Sequence, residues 1–130
     1  MFLTDKDMPT YLQSIYGDNM KVLIVDDEED LCMLLGSFLQ RKKADVSYAN
    51  NLRTGYEQLM NVNPDVVFLD NNLPDGTGLD ALPNWRRLYP SSRIVMISAM
   101  SNLREKALAS GADAFLEKPL SFRLVESVLD

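Results

Sequence analysis

The chain contains no histidine and one cysteine, Cys32, in 130 residues. Without histidine there is no imidazole to serve as general base, metal ligand or phosphate carrier. A lone thiol forms no intrachain disulfide and suits a reducing compartment, so a cytoplasmic location is expected. No apolar run approaches the ~20 residues of a membrane-spanning helix, and no signal peptide is evident. Positive charge is scarce as well. Thirteen Lys and Arg stand against nineteen Asp and Glu, a net charge of −6. Binding to a phosphate backbone rests on basic side chains, so direct nucleic-acid binding by this chain is not expected. Oxygen donors alone remain for a metal, and they select hard cations.

What is present is a repeated pattern of apolar runs that end on polar groups. Val66-Val67-Phe68-Leu69 has the length and composition of a fully buried strand and stops at Asp70. A Pro74-Asp75-Gly76 turn follows. Lys21–Val25 runs into Asp26 and Asp27, Arg93–Ile97 into Ser98, and Ala114–Glu117 into Lys118-Pro119. Between these runs lie segments with helical periodicity. Asp26–Asp30 opens a helix presenting Leu31, Leu34, Leu35, Phe38 and Leu39 on one face. Glu28, Glu29 and Asp30 read there as charge favoured by the helix dipole. Residues 44–49 alternate like a half-exposed edge strand. Asn51 caps a helix with Leu52, Tyr56, Leu59 and Met60 inward, stopped by Pro64.

A further helix carries Leu79, Leu82, Trp85 and Leu88 inward, and a late start capped by Asp80 would place Pro83 harmlessly in its first turn. Ser101 caps a helix over 102–110 that Gly111 closes. The last helix, Ser121 to Leu129, shows Phe122, Val125, Val128 and Leu129 as its apolar side. Residues 1–19 stand apart, as a tail or as a short helix built on Tyr11, Leu12, Ile15 and Tyr16. Met20 offers an alternative start.

Five strand–helix alternations predict an α/β fold: a doubly wound, five-stranded parallel sheet of order 2-1-3-4-5 with helices on both faces. In such a sheet ligands bind at the carboxyl ends of the strands, beside the switch point. Asp26, Asp27, Asp70, Ser98 and Lys118 then surround one hollow. Three carboxylates there repel one another unless a cation joins them. Mg²⁺ suits the set, because it needs few carboxylates and also accepts phosphate oxygens. Lys118 would meet an anionic phosphoryl group as a point charge, Ser98 would donate a hydroxyl hydrogen bond, and Asp70 would be the nucleophile.

The segments Val-Asp-Asp at 25–27, Leu-Asp-Asn-Asn-Leu-Pro-Asp-Gly-Thr-Gly at 69–78, Ile-Ser-Ala at 97–99 and Lys-Pro at 118–119 resemble the receiver domain of two-component response regulators. The resemblance covers 20–130 and implies a flavodoxin- or CheY-like fold. It implies a signalling domain, rather than a conventional enzyme, that catalyses its own phosphorylation and dephosphorylation at Asp70. By the resemblance Asp27 is a direct Mg²⁺ ligand, Asp26 acts through water, and the backbone carbonyl of Asn72 is a further ligand. Ser98 and Lys118 would bind the phosphoryl group. Phe115 would be the switch aromatic, turning inward as Ser98 moves, and Lys118–Pro119 a cis peptide. Asn72 and Met100 would flank the path of the hydrolytic water, with Met100 shielding the phosphoryl group. The implied partner is a sensor histidine kinase or phosphotransfer protein, and a phosphorylation-dependent dimer is compatible. An output domain beyond Asp130 or a separate protein would receive the signal.

Departures from the pattern are Asn71, where an apolar residue is more usual, and Met100, at an often polar position. A dehalogenase-type phosphatase would need Asp where Asn72 stands. A calcium loop starting at Asp70 fails at Pro74 and Asp75. A flavin module lacks a phosphate loop after the first strand, where acidic residues stand instead. A degenerate receiver would have lost Asp70 or Lys118.

Overall fold

The computed structural model describes residues 19–129. The expected extension over 1–19 therefore lies, apart from Asn19, outside the described residues. Strands β1 (Lys21–Val25), β2 (Asp45–Ala49), β3 (Val66–Asp70), β4 (Arg93–Ser98) and β5 (Ala114–Glu117) form one sheet. All its pairings are parallel and its order is β2-β1-β3-β4-β5, as the alternation predicts. The order reverses between β1 and β3, which opens the crevice where Asp26, Asp27 and Asp70 emerge.

Alternation along the strands feeds two core layers. Leu23, Val25, Val67, Leu69, Ile94 and Met96 point to one face, where they meet helices α2 (Leu52–Val62), α3 (Gly78–Leu88) and α4 (Arg104–Ala109). Val22, Ile24, Val66, Phe68, Val95 and Ile97 point to the other, against α1 (Glu29–Arg41) and α5 (Phe122–Ser127). The central strand β3 is buried at every position, whereas β2 at the edge is largely open. Asn51 caps α2 as expected, its Oδ1 accepting the Thr54 N–H at 2.8 Å. Gly111 adopts φ +119° after α4, and Lys118–Pro119 is cis.

Several expectations are corrected. Helix α3 starts at Gly78 with Thr77 as its cap, so Pro83 stands inside the helix rather than in its first turn. The chain forgoes the hydrogen bond that an N–H at 83 would give to Leu79. Tertiary contacts set that early start: the Gly78 N–H bonds the Asn71 carbonyl at 2.9 Å, and the Leu79 N–H bonds Asn71 Oδ1 at 3.1 Å. Ser101 does not cap an α-helix; it begins a 3₁₀ turn, Ser101–Leu103, that leads into a short α4. Leu34, Met60 and Leu88, expected inward, are exposed, Leu34 by 63%. Phe122 is partly open too, stacked on Phe38 with ring centroids 4.4 Å apart.

Candidate functional site

Each site residue is placed by the end of a buried strand. The hydrogen bond from the Asp26 N–H to the Ala49 carbonyl, 3.0 Å, continues the β1–β2 ladder one residue past β1. Asp26 is buried, and its Oδ1 accepts the Glu28 N–H at 2.8 Å, which closes the turn into α1. Asp27 beside it is exposed. Asp70 closes β3 and is buried, with Ile97 as its register partner. Ser98, the next residue of β4, is buried opposite Glu117, and the Lys118 N–H bonds the Ser98 carbonyl at 2.9 Å. Parallel pairing thus carries one carboxylate pair, one carboxylate, one hydroxyl and one ammonium to the same edge.

One carboxylate oxygen from each of Asp26, Asp27 and Asp70 lies within 4.8 Å of the other two. Lys118 Nζ is 2.9 Å from Asp26 Oδ2 and 3.2 Å from Asp70 Oδ1. The buried Asp26 Oδ2 is held by that ion pair with Lys118. Together with two neighbouring carboxylates it makes an all-oxygen donor set open on the Asp27 side, which fits a hard divalent cation. Burial, and then the charge of Asp26, push the Asp70 carboxyl from 3.8 up to about 6, although Lys118 opposes the rise. Burial works to lower Lys118, but its hydrogen bonds to Glu28 and Asp26 and the charges of Asp26 and Asp70 outweigh that and hold its pKa above the ordinary range.

The loop after Asp70 returns tightly. Asn72–Leu73 pairs antiparallel with Gly76–Thr77. At Gly78 a Cβ would stand 2.3 Å from the Asp70 carbonyl oxygen, so only glycine lets α3 start against the site. Asn71 is buried, and its amide ties α3 to this loop. An apolar residue could not do so. Asn72 is exposed in the turn. Ser98 Oγ accepts the Met100 N–H at 3.0 Å, and Met100 itself is 43% exposed at the rim. Phe115 is buried, at 3% exposure.

Three participants escaped the sequence reading. Glu28, read as helix-terminal charge, bonds Lys118 Nζ through Oε1 at 2.7 Å across 90 residues of chain. Asp75 caps α2 from another loop, its carboxylate accepting the Leu52 and Arg53 N–H groups at 2.8 and 3.0 Å. These bonds hold its carboxyl below the usual range, led by the one from Leu52. Arg104 covers Phe115, with its guanidinium 5.0 Å from the ring centroid and Nη1 bonded to the Phe115 carbonyl at 3.2 Å. No local spacing signals any of these pairs. Cys32 takes no part, since burial and then Asp26 push its thiol up to about 11, far from a reactive thiolate.

Comparison with known proteins gives consistent matches. The family described as response regulator receiver domain matches residues 22–130. The response regulator protein PilR of Pseudomonas aeruginosa is 40% identical over 111 residues, which are 83% of this chain and 25% of PilR. The chain thus spans about a quarter of that relative's length. The chemotaxis protein CheY of Thermotoga maritima is 31% identical over 112 residues, covering 83% of this chain and 93% of that protein. Among solved structures, the CheX–CheY–BeF₃–Mg complex of Borrelia burgdorferi contains a chain with a TM-score of 0.80 and 27% identity. That alignment covers 89% of this chain and 90% of the other.

Proposed function

We propose, for a chain that belongs to the response regulator receiver domains, the phosphoacceptors of two-component signalling, that Asp70 is the residue that takes the phosphoryl group. The observation that carries this reading is the position of Asp70: buried at the end of the central strand, with Lys118 Nζ 3.2 Å from one of its oxygens and two more carboxylates beside it. Residues 20–130 form the receiver unit, and the phosphodonor is a histidine kinase or a phosphotransfer protein.

In the reaction an oxygen of Asp70 bonds to the donor's phosphorus as the bond from phosphorus to the leaving group breaks. The leaving group departs with the electron pair. Lys118 balances the charge on the phosphoryl oxygens, and Ser98, whose Oγ accepts the Met100 N–H, has its own O–H to donate to one of them. Asp26, Asp27, Asp70 and the backbone carbonyl of Asn72 would hold Mg²⁺, which when bound neutralises the crowded carboxylates and the transferring group. Asp70 must be ionised to attack, and burial and then the charge of Asp26 oppose that charge. Among the described residues no helix is long and apolar enough to cross a membrane, and we place the domain in the cytoplasm.

Intact-protein mass spectrometry with acetyl phosphate tests the assignment. The native chain should gain one phosphoryl group only when Mg²⁺ is present, and Asp70→Ala should gain none. Equal labelling of both proteins would remove Asp70 from this role.

A further inference from the structure

We propose that Glu28 competes with the incoming phosphoryl group for Lys118 and thereby slows phosphorylation of Asp70 by small free donors; the proposal rests on the roles given above to Asp70 and Lys118. Lys118 Nζ faces three carboxylates, at 2.7 Å for Glu28, 2.9 Å for Asp26 and 3.2 Å for Asp70. The shortest contact, and the well-formed hydrogen bond, goes to Glu28. Asp26 and Asp70 belong to the cluster that a cation would neutralise, whereas Glu28 stands outside it. Neutralising the cluster therefore leaves Lys118 still bound to Glu28.

The helix makes no other use of this side chain. Glu28 is the N-terminal flanking residue of α1, yet it forms no side-chain cap, and its own N–H is satisfied by Asp26. Its side chain is 60% exposed, while the Lys118 side chain is 12% exposed. Both residues line a groove of about 510 Å³ whose other walls include Leu31, Leu34, Pro119 and Phe122. A donor approaching Lys118 from that side passes a negative charge of its own sign. Competition for the ammonium and repulsion of the donor act in the same direction.

The test uses the full chain at saturating Mg²⁺ with acetyl phosphate. Asp70 Oδ bonds to phosphorus, the bond from phosphorus to the acetyl oxygen breaks, and acetate leaves with the electron pair, with no proton transferred. Glu28→Gln should be labelled about two- to fivefold faster than the native chain, the range expected for a partly exposed ion pair. Glu28→Asp, which keeps the charge, should stay nearer the native rate. Beryllofluoride, a phosphoryl mimic that needs no turnover, should bind Glu28→Gln more tightly by a similar factor, and both gaps should narrow at high salt. Equal or slower labelling of Glu28→Gln, or unchanged beryllofluoride affinity, overturns the proposal. A native chain that takes no phosphoryl group at all overturns the role of Asp70, and this proposal with it.

Discussion

The two edges of the sheet each gather charged side chains around one long cation, with opposite outcomes. At the carboxyl edge Lys118 faces three crowded carboxylates, and burial and then the charge of Asp26 push the Asp70 carboxyl up to about 6. At the amino edge Arg86, in the last turn of α3, is satisfied throughout. Its Nε donates to the Gly111 carbonyl at 2.8 Å, its Nη1 to the Ser92 carbonyl at 2.8 Å, and its Nη2 pairs with Asp113. Asp113 in turn accepts the Ile94 N–H at 2.8 Å. A planar guanidinium reaches several fixed acceptors at once, which a single ammonium does not. The amino edge spends its charge on closing loops, and the carboxyl edge keeps an unmet demand for a cation and an anion.

The largest effect should come from breaking the satisfied edge. Arg86→Ala would leave the Gly111 and Ser92 carbonyls and Asp113 without their shared partner, for a loss of about 2–4 kcal/mol in denaturant unfolding. The fraction of folded protein that accepts phosphate should stay as in the native chain. Loss of labelling in the folded fraction would mean that the two edges are coupled.

Asp70→Asn should do the reverse, abolishing labelling while stabilising the metal-free domain by on the order of 1–3 kcal/mol near neutral pH. The sign follows from linkage. Because the folded Asp70 carboxyl is raised from 3.8 to about 6, the folded state holds more protons between those values. Native stability should therefore fall as pH rises through that window, and Asp70→Asn should lack this fall. Added Mg²⁺ should restore stability to the native chain above pH 6. Urea midpoints at several pH values, with and without Mg²⁺, measure both, and a native profile that rises through the window would contradict the shift.

The smallest effect concerns the rim. Met100 is exposed next to Ser98 and offers no group that orients water. Met100→Glu or Met100→Asn should therefore speed loss of phosphate from Asp70, by roughly threefold to tenfold if ordering one water is the gain. Decay followed by mass spectrometry at constant Mg²⁺ measures it. An unchanged or slower decay would remove Met100 as the shield.

Much of this architecture is legible in the sequence. Runs such as Val66–Leu69 specify buried parallel strands by composition alone, and the polar residue ending each run marks the ligand-binding edge. Asp26, Asp27, Asp70, Ser98 and Lys118 could be singled out because strand ends in a parallel sheet fall on one edge whatever the crossovers between them. Helix limits were less legible. Pro83 and Asp80 argue locally for a late start to α3, but the Asn71 amide and the room left by Gly78 begin it earlier. Leu34 fits a helical apolar stripe, yet it is exposed and lines the groove beside Leu31 and Phe122.

By itself, then, the sequence determined the strand order, the two-layered core and the chemical groups at the carboxyl edge, because these follow from periodicity and from where apolar runs stop. Which groups touch was decided only by tertiary structure. Glu28 meets Lys118 across 90 residues, Asp75 caps α2 from 22 and 23 residues away, and Arg86 reaches Gly111 across 25. Such contacts depend on the reach and direction of side chains from separate elements. Those are set when the helices pack against the sheet, and no local spacing encodes them.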